Sequence, residues 1–289
     1  MLVVTSTGRR CFRGRDQSSA LRHSQFKVFG GWTTPFWDIA FLGLIWCAAF
    51  WPWFRNRPAE MRQVNAAERE LIASGRPTAA APPGPFPLGR ALTSPSVWGL
   101  CLMYGFIGFA GNFFTALQTV YVRDHKKVSD ELTQVVFGVT MAAGVISCVL
   151  GGVVSDWLVR YTGSRKWGRR LNGSVGLALG AFTFLCIIWA DNAWQLALLF
   201  SLTFFLNDAS MGPAWASCAD IGERHAGTLS GAMNMIGAFA GAAGMALAGA
   251  FFRRGWDVPV FIIFACSYAM ASLCWMAVDA TKPLVPKGE

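Results

Sequence analysis

The chain has 289 residues, of which 54% are hydrophobic and 14% are charged, and its formal net charge is +9. A mean hydropathy of +0.40 argues against one or two soluble domains of this length. Nucleic-acid binding is not expected, because the basic residues cluster between apolar stretches and are not interleaved with aromatic residues as in a nucleic-acid platform.

Apolar stretches dominate the chain from residue 35 onward. A helix that crosses a bilayer needs about 18 or more predominantly apolar residues. Seven stretches meet this length: 35–54, 97–122, 133–156, 173–190, 193–218, 228–252 and 258–278. The sequence therefore predicts an all-α protein of the lipid bilayer with about seven transmembrane helices.

Residues typical of enzymes and metal centres are not arranged for that chemistry. Seven of the eight cysteines lie within or at the ends of apolar stretches, none forms a C-x-x-C pair, and all three histidines fall in connections. The sequence has no zinc-protease helix, phosphate-binding loop or nucleophile elbow. We expect no catalytic residue, no metal site, no cofactor and no enzymatic activity.

Basic residues in the connections predict the orientation of the helices. The connections 55–96 and 157–172 are rich in Arg and Lys, so the positive-inside rule places both in the cytoplasm, together with the C-terminus. Alternation then puts residues 1–34 outside, although this segment holds six basic residues against a single Asp16. We interpret this conflict as a sign that helices preceding the segment are missing, or that the start is misplaced.

The connection 55–96 separates one apolar stretch from the other six. Its first part, "NAAERELIAS" from Asn65 to Ser74, predicts a short amphipathic surface helix, and its second part, "GRPTAAAPPGPFPLG", is typical of a flexible spacer. One helix, a linker and six helices would be natural as the back end of a six-plus-six protein.

The segment "GGVVSDWLVRYTGSRKWGRR", from Gly151 to Arg170, resembles the signature between helices 8 and 9 of the major facilitator superfamily. Gly152, Asp156, Arg160 and Gly163 carry the match, whereas Trp157 stands where a basic residue is usual. "MGPAWASCADIGERHAGTLSGAMNMIG" and "FRNRPAEMRQVNAAERELI" are similar to the anion:cation symporter branch of that family, although Ala238 stands where the branch usually has a second Asn.

This resemblance, which covers residues about 30 to 282, implies a division of the chain. Residues 1–30 would be a basic N-terminal segment of uncertain status. A transmembrane helix equivalent to family helix 6 would occupy 31–54, the cytoplasmic linker 55–96, a six-helix C-terminal bundle 97–280 and a cytoplasmic tail 281–289. Family members have a further N-terminal half, which this chain would need as a partner.

The resemblance also implies a function. Members of this branch move small organic anions such as sugar acids and related carboxylates by alternating access, driven by a proton or sodium. We expect the same activity here, in a membrane that is the bacterial inner membrane. Two other possibilities stay open, namely a non-transporting membrane subunit and an inactive remnant of a transporter.

Asp156 has two interpretations. The sequence places it at the end of a helix, where the macrodipole disfavours an acid unless it faces another helix N-terminus or pairs with a cation such as Arg160. Gly152, Asp156, Arg160 and Gly163 would then form a gating latch that holds helix ends together in one state. Alternatively, the segment is only a basic loop that sets topology.

Polar side chains within the apolar stretches are the candidates for the substrate pathway, because an ionisable group at membrane depth needs a cavity or a partner. Asn207 and Asp208 lie mid-stretch, and Trp215 shares the helical face of Asp208. This face would border the pathway, with Asp208 as a proton or cation site, or else it would hold a neighbouring helix.

The remaining candidates lie on two other stretches. Asn234 falls in a stripe of small residues formed by Gly227, Gly231, Ala238 and Gly241, and the resemblance implies that Asn234 and Trp215 contact substrate. Tyr104 and Asn112 share a face with Gly108, and Gly105, Gly108 and Gly111 could make this helix irregular. Packing between helices is the alternative for each of these residues.

Overall fold

In the computed structural model of the chain, the described residues are 33–56, 60–61, 63–75 and 84–285. The chain divides into two compact units, Met1–Ala81 and Pro82–Glu289. The predicted basic segment 1–30 and the last residues of the predicted tail, 286–289, lie outside the described residues. Every regular element within the described ranges is helical, which confirms the all-α prediction.

The first unit contains two helices. Helix α1, Thr34–Trp53, coincides with the first predicted stretch and has Pro35 in its first turn, where a missing N–H costs nothing. Helix α2, Ala66–Gly75, is the predicted amphipathic helix. Its start is fixed by Asn65, whose side-chain oxygen accepts a hydrogen bond from the backbone N–H of Glu68 at 2.8 Å.

The second unit contains nine α-helices within its described residues, and several short turns connect them. They are α3 Leu88–Thr93, α4 Pro95–Ala116, α5 Gln118–Val120, α6 Asp130–Thr162, α7 Arg165–Cys186, α8 Ala193–Ala209, α9 Met211–Gly222, α10 Ala226–Phe252 and α11 Asp257–Trp275. A π-helix, Tyr121–His125, follows α5, and single 3₁₀ turns occupy Ile187–Trp189 and Glu223–His225.

Six helical stretches in the described part of the chain are long and apolar enough to cross a membrane. One of them, Ala193–Phe252, has 60 residues. At 1.5 Å per residue it would be about 90 Å long, three times the thickness of a bilayer core. It is interrupted at Glu223, whose φ of 45° turns the chain. The stretch is therefore long enough for two crossings, α8–α9 and α10, and each of the seven predicted apolar stretches is helical.

Local capping explains where the helices of the second unit begin. Ser94, Ser129, Ser164 and Asn192 each precede a long helix, and their side-chain oxygens accept hydrogen bonds from backbone N–H groups of the first turn. Helix α6 ends at Gly163, which has the left-handed φ of 63° that terminates helices. The turn between α6 and α7 is consequently only two residues long.

The second unit packs mainly through the helix pairs α4–α10, α6–α8, α7–α11 and α4–α11. Phe113 lies at the centre of its aromatic core, 1% exposed. Six rings have centroids within 6.2 Å of the Phe113 ring: Phe114, Tyr121, Phe200, Phe252, Phe261 and Phe264. These side chains come from α4, α8, α10, α11 and the π-helix, so their packing holds these helices together around Phe113.

Two expectations about local structure were wrong. Helix α4 is continuous through Gly105, Gly108 and Gly111, and the irregularity comes later, at Leu117 and the π-helix. The glycines instead allow close packing, since a Cβ on Gly108 would overlap the backbone of Gly237 in α10. Asp156 is not at a helix end either, because α6 continues to Thr162.

Candidate functional site

A cavity of about 360 Å³ opens between α4, α8 and α10, with the first residue of α9 at its edge. Its lining combines small residues, aromatic rings and uncharged polar groups with a single carboxylate. The lining residues are Tyr104, Ile107, Gly108, Gly111, Asn112, Thr115, Phe204, Asn207, Asp208, Met211, Asn234, Gly237 and Ala238. Five of the six residues predicted to form the substrate pathway therefore meet at one cavity: Tyr104, Asn112, Asn207, Asp208 and Asn234.

The sixth predicted residue, Trp215, contacts a lining residue and is not itself among the residues that line the cavity. Its ring packs edge-on against the ring of Tyr104, with centroids 6.0 Å apart and an interplanar angle of 79°. Trp215 is on α9 and 41% exposed. It therefore supports the position of Tyr104 in this structure, and it does not itself line the cavity.

A chain of hydrogen bonds runs from the core to the cavity. The hydroxyl of Tyr268, which is fully buried on α11, donates to Oδ1 of Asn207 at 2.7 Å. The amide Nδ2 of Asn207 in turn donates to Oδ1 of Asp208 at 2.8 Å. Asn207 thus makes the interhelical contact that the packing interpretation expects of it, whereas Asp208 stands at the end of the chain, beside the cavity.

Tyr268 was missed in the sequence analysis. It is the only tyrosine in the apolar stretch 258–278. A buried phenol O–H usually finds a hydrogen-bond partner, so a lone tyrosine at membrane depth was a signal that another polar group lay near it. The spacing along the chain could not show that this partner was Asn207, which is 61 positions away.

Two glycines make room for this chain of polar groups. A Cβ added to Gly144 on α6 would lie 2.8 Å from Oδ2 of Asp208. A Cβ on Gly111 of α4 would lie 3.5 Å from both Oδ1 of Asn207 and the hydroxyl of Tyr268. The space that the Asp208 carboxylate occupies therefore depends on the missing side chain at position 144.

Asn112 and Asn234 face the cavity from opposite helices, and both are exposed. Within the described part of the chain neither side-chain amide has a protein hydrogen-bond partner. The predicted stripe of small residues around Asn234 is divided: Gly241 contacts the side chain of Asn112, whereas Gly227 and Gly231 have no atom within reach of an added Cβ. The amide groups of Asn112 and Asn234 are thus free to bind a solute.

Of the two arrangements considered for Asp156 in the predicted latch, the ion pair with Arg160 is not formed in this structure. Arg160 Nε donates to the backbone carbonyl of Asp156 at 3.3 Å, and the Asp156 carboxylate is exposed, with no ion-pair partner in the described ranges. Gly163 is the left-handed cap of α6. Gly152 lies against Gly212 of α9: a Cβ added to Gly212 would lie 3.3 Å from the Cα of Gly152.

We call the end of the second unit that carries Gly163–Arg170 the basic end. Basic side chains of this segment have partners there. Lys166 Nζ pairs with Oδ2 of Asp279 at 3.1 Å, and Arg169 pairs with Asp220. Arg170 Nε donates to the backbone carbonyl of Val278 at 2.6 Å. These contacts hold the start of α7 against α9 and against the segment that follows α11.

Metal chemistry finds no support among these residues. Nowhere in ranges 33–56, 60–61, 63–75 and 84–285 do three or more His, Cys, Asp or Glu side chains come together as a set of metal ligands. The lining of the cavity contains no Lys, Arg or His and only one acid. The arrangement suits hydrogen bonding to a polar solute in an otherwise apolar bundle.

Comparison with known proteins identifies relatives that are transporters by name. The chain is 29% identical over 250 residues to a probable chloroplastic anion transporter of rice, Oryza sativa subsp. japonica, which covers 85% of this chain and 46% of the relative. It is 29% identical over 251 residues to the chloroplastic ascorbate transporter of Arabidopsis thaliana, with coverages of 85% and 45%. It is 28% identical over 224 residues to the probable galactarate/D-glucarate transporter of Escherichia coli, with coverages of 73% and 49%.

The chain thus spans about half the length of these relatives. A family model described as the Major Facilitator Superfamily matches residues 26–245, a range that includes α1 and most of α10. The all-helical fold with long apolar helices agrees with this match, and so does the resemblance of the segment around Gly152 and Asp156. The chain is a membrane protein that belongs to the Major Facilitator Superfamily.

Proposed function

We propose that the chain carries out secondary active transport of a small organic anion, a sugar acid or related carboxylate, and that its second unit forms one wall of the pathway. The observation that supports this most directly is the cavity between α4, α8 and α10, where the polar groups of Tyr104, Asn112 and Asn234 have no protein partner among the described residues. The named activities of the relatives, which include anion, ascorbate and galactarate/D-glucarate transport, support the substrate class.

The chemistry of the lining suits a polyhydroxylated carboxylate. Amide groups of Asn112 and Asn234 can donate to carboxylate oxygens and can both donate to and accept from hydroxyl groups. The ring of Tyr104 offers an apolar face with a polar tip. A site with few, well-placed polar groups of this kind fixes the orientation of a small solute.

The cavity offers no cation to a bound anion, since no lining residue is Lys, Arg or His. A carboxylate taken from water into the bilayer without a counter-charge is strongly disfavoured. We therefore propose that a second helical bundle completes the cavity and supplies the cationic group. The exposure of Asn112 and Asn234 supports this, because these polar groups are left open by the second unit alone.

Alternating access would then be a rocking of this bundle against the second one, coupled to a proton or sodium. We propose that the basic end is cytoplasmic, as the positive-inside rule favours, in a bacterial inner membrane, and that the C-terminus lies on the same side. The division into helix 31–54, linker 55–96, bundle 97–280 and tail 281–289 belongs to this proposal.

The unpaired, exposed carboxylate of Asp156 supports a role for Gly152, Asp156, Arg160 and Gly163 between bundles. Since Asp156 has no partner within the described part of its own chain, a helix N-terminus or cation of the second bundle could meet it in one state of the cycle. Gly152 would allow the close approach of helix ends at that contact.

Uptake into proteoliposomes tests the proposal. The chain is purified from the membrane without stripping associated proteins, and an inward pH or sodium gradient is imposed with D-glucarate, ascorbate, phosphate or sulfoacetate as radiolabelled solute. Accumulation of at least one anion above its equilibrium level is the expected result. Anion binding without uptake would favour a non-transporting subunit, and a lack of both would favour an inactive remnant.

A further inference from the structure

We propose that Asp208 is the proton-binding site through which this bundle couples anion movement to a pH gradient, and that Tyr268 acts through Asn207 to position it. This inference rests on the proposed function and deepens it by naming the coupling ion and the group that carries it. The starting observation is the hydrogen-bond chain Tyr268–Asn207–Asp208, in which Asn207 bonds to another helix and Asp208 faces the cavity.

The side chain of Asn207 uses its hydrogen-bonding groups within the protein, whereas one carboxylate oxygen of Asp208 accepts no hydrogen bond from the described residues. Both polar atoms of the Asn207 amide are used, one by the Tyr268 hydroxyl and one by Asp208. Asp208 receives one hydrogen bond, on Oδ1, and its Oδ2 accepts none within the described part of the chain. That free oxygen lies beside Gly144, next to the cavity. Packing between helices therefore explains Asn207 and leaves the free oxygen of Asp208 without a structural purpose.

Among the residues that the structure describes, no positively charged group lies beside Asp208 to balance its charge. Its titratable neighbours are Tyr104 on α4, Cys148 on α6 and Tyr268 on α11, and each is neutral when it carries its proton. Phe204 and Gly144 supply the adjoining apolar contacts. An ionised carboxylate at membrane depth without a cation is disfavoured, and a proton taken up on Oδ2 removes the charge.

A proton fits this site better than a metal cation does. Asp208 is the single carboxylate of the cavity, and hard cations such as sodium are bound by several oxygen ligands at once. The Asn207 group nearest to Asp208 is an N–H donor, and the positive end of this N–H bond would repel a metal cation. The Tyr268 hydroxyl holds the amide in this orientation, because it donates to the carbonyl oxygen on the other side.

The same geometry couples the proton to the anion. An anion in the cavity and an ionised Asp208 repel each other at low dielectric, so the anion binds more tightly when Asp208 is protonated, and the proton binds more tightly when the anion is present. On one side of the membrane, water in the cavity delivers a proton to Oδ2 and the anion enters. On the other side the anion leaves, the carboxylic acid releases the proton, and both have crossed in the same direction.

Transport by the whole assembly tests this step with Asp208→Asn, which preserves the size of the side chain. Accumulation of D-glucarate driven by a pH gradient should fall by about tenfold or more, whereas exchange of labelled for unlabelled D-glucarate across the membrane should continue. Asp191→Asn, at an exposed acid between helices, should leave both rates at the level of the unchanged chain. Undiminished pH-driven accumulation in Asp208→Asn would overturn the inference.

An infrared titration of the purified 289-residue chain provides a second readout that does not depend on transport. A protonated-carboxyl band should titrate in the unchanged chain and be missing in Asp208→Asn. In the whole assembly, added D-glucarate should also shift the midpoint of this band to higher pH. Tyr268→Phe should retain the band but move its midpoint upward, because Asn207 is then free to turn its N–H away from the carboxylate. A band that survives Asp208→Asn unchanged would contradict the assignment.

The two experiments separate failure of the inference from failure of the proposed function. If no anion is exchanged or accumulated but the band disappears in Asp208→Asn, the proton site stands and the transport proposal fails. If exchange is observed and neither driven accumulation nor the band responds to Asp208→Asn, transport stands and the inference is wrong. Thermal unfolding of each variant in detergent identifies any that fails to fold, and Asp208→Glu then replaces it, for which the band should remain with a shifted midpoint.

Discussion

Gly244 of α10 lies directly against the backbone carbonyl of Phe109 on α4, so closely that a Cβ at position 244 would overlap the carbonyl oxygen. Gly241 and Gly237 make similar contacts one and two turns earlier, with the side chains of Asn112 and Tyr104 respectively. These three glycines bring α4 and α10 together along one line. Since both helices line the cavity, their separation sets its width.

Gly244→Ala should therefore separate α4 from α10 and destabilise the second unit. Overpacking of this kind costs about 1–3 kcal/mol, because the added methyl group meets backbone and cannot be accommodated by a side-chain rotation. The measurement is thermal unfolding of the purified chain in detergent. Gly231→Ala on the same helix is the matched control, since no atom lies within 4 Å of its added Cβ.

The control should be neutral or more stable by up to about 1 kcal/mol, because Ala is a better helix former than Gly. Equal destabilisation by both substitutions would show that helix flexibility, and not the close contact at position 244, governs stability here.

Asn172 on α7 should contribute to stability through two backbone carbonyls. Its Nδ2 donates to Gly151 O of α6 at 3.1 Å and to Ala209 O of α8 at 3.3 Å. Asn172→Ala leaves both carbonyls without this donor, and we expect a loss of about 1–2 kcal/mol in thermal or denaturant unfolding. Asn112→Ala, whose amide has no protein partner in the described part of the chain, should cost clearly less; an equal loss would mean that the hydrogen bonds of Asn172 are unimportant.

The contact between Lys166 and Asp279 predicts a pH dependence at the basic end. Burial alone raises the pKa of the Asp279 carboxyl group, but hydrogen bonds from Thr281 and Lys166 outweigh it and hold that pKa below its ordinary value. An acid whose pKa is lower in the folded chain stabilises the fold above its unfolded pKa, about 3.9, and this contribution is lost as the pH falls through the folded pKa.

Asp279→Asn should accordingly unfold at a lower temperature than the unchanged chain between pH 5 and pH 8, by a nearly constant difference, and the difference should shrink below about pH 4. Thermal unfolding in detergent across this range measures it, with Asp191→Asn, an exposed acid, as the control. A difference that increases on acidification would show that the pKa of Asp279 is raised in the folded chain.

Much of this architecture was predictable because hydrophobic length is a strong signal in a membrane protein. All seven apolar stretches became helices, and the helices at Ser129 and Ser164 begin at the polar capping residues, several positions before the apolar stretches themselves. The end of α6 was not predictable from hydropathy, since the helix continues beyond the apolar stretch through Asp156 and stops only at the left-handed Gly163.

Most of the polar residues that line the cavity could be predicted from the sequence, but the hydrogen bonds between them could not. Asn112, Asp208 and Asn234 stood out because polar groups are rare at membrane depth. Their hydrogen bonds were invisible to the sequence, because Tyr268 reaches Asn207 between helices that are far apart along the chain. Spacing along one helix also suggested that Trp215 would share the lining with Asp208, whereas the helix is broken at Ser210 between α8 and α9 and the Trp215 ring packs against Tyr104 outside the lining.

Asn234→Leu should abolish anion uptake while leaving the amount of chain in the membrane unchanged. The substitution keeps a side chain of similar length but removes both the donor and the acceptor that Asn234 presents to the cavity, and it loses no protein hydrogen bond in the described part of the chain. A binding site that loses such a group rejects its polar solute strongly, because the hydroxyl or carboxylate that it contacted is left unpaired.

Uptake of D-glucarate by proteoliposomes and the quantity of reconstituted protein are measured together. Met235→Leu, the next residue on α10 and outside the cavity lining, is the control and should transport normally. Normal uptake by Asn234→Leu would assign Asn234 to the packing of α10 and would remove the resemblance-based part of the substrate site.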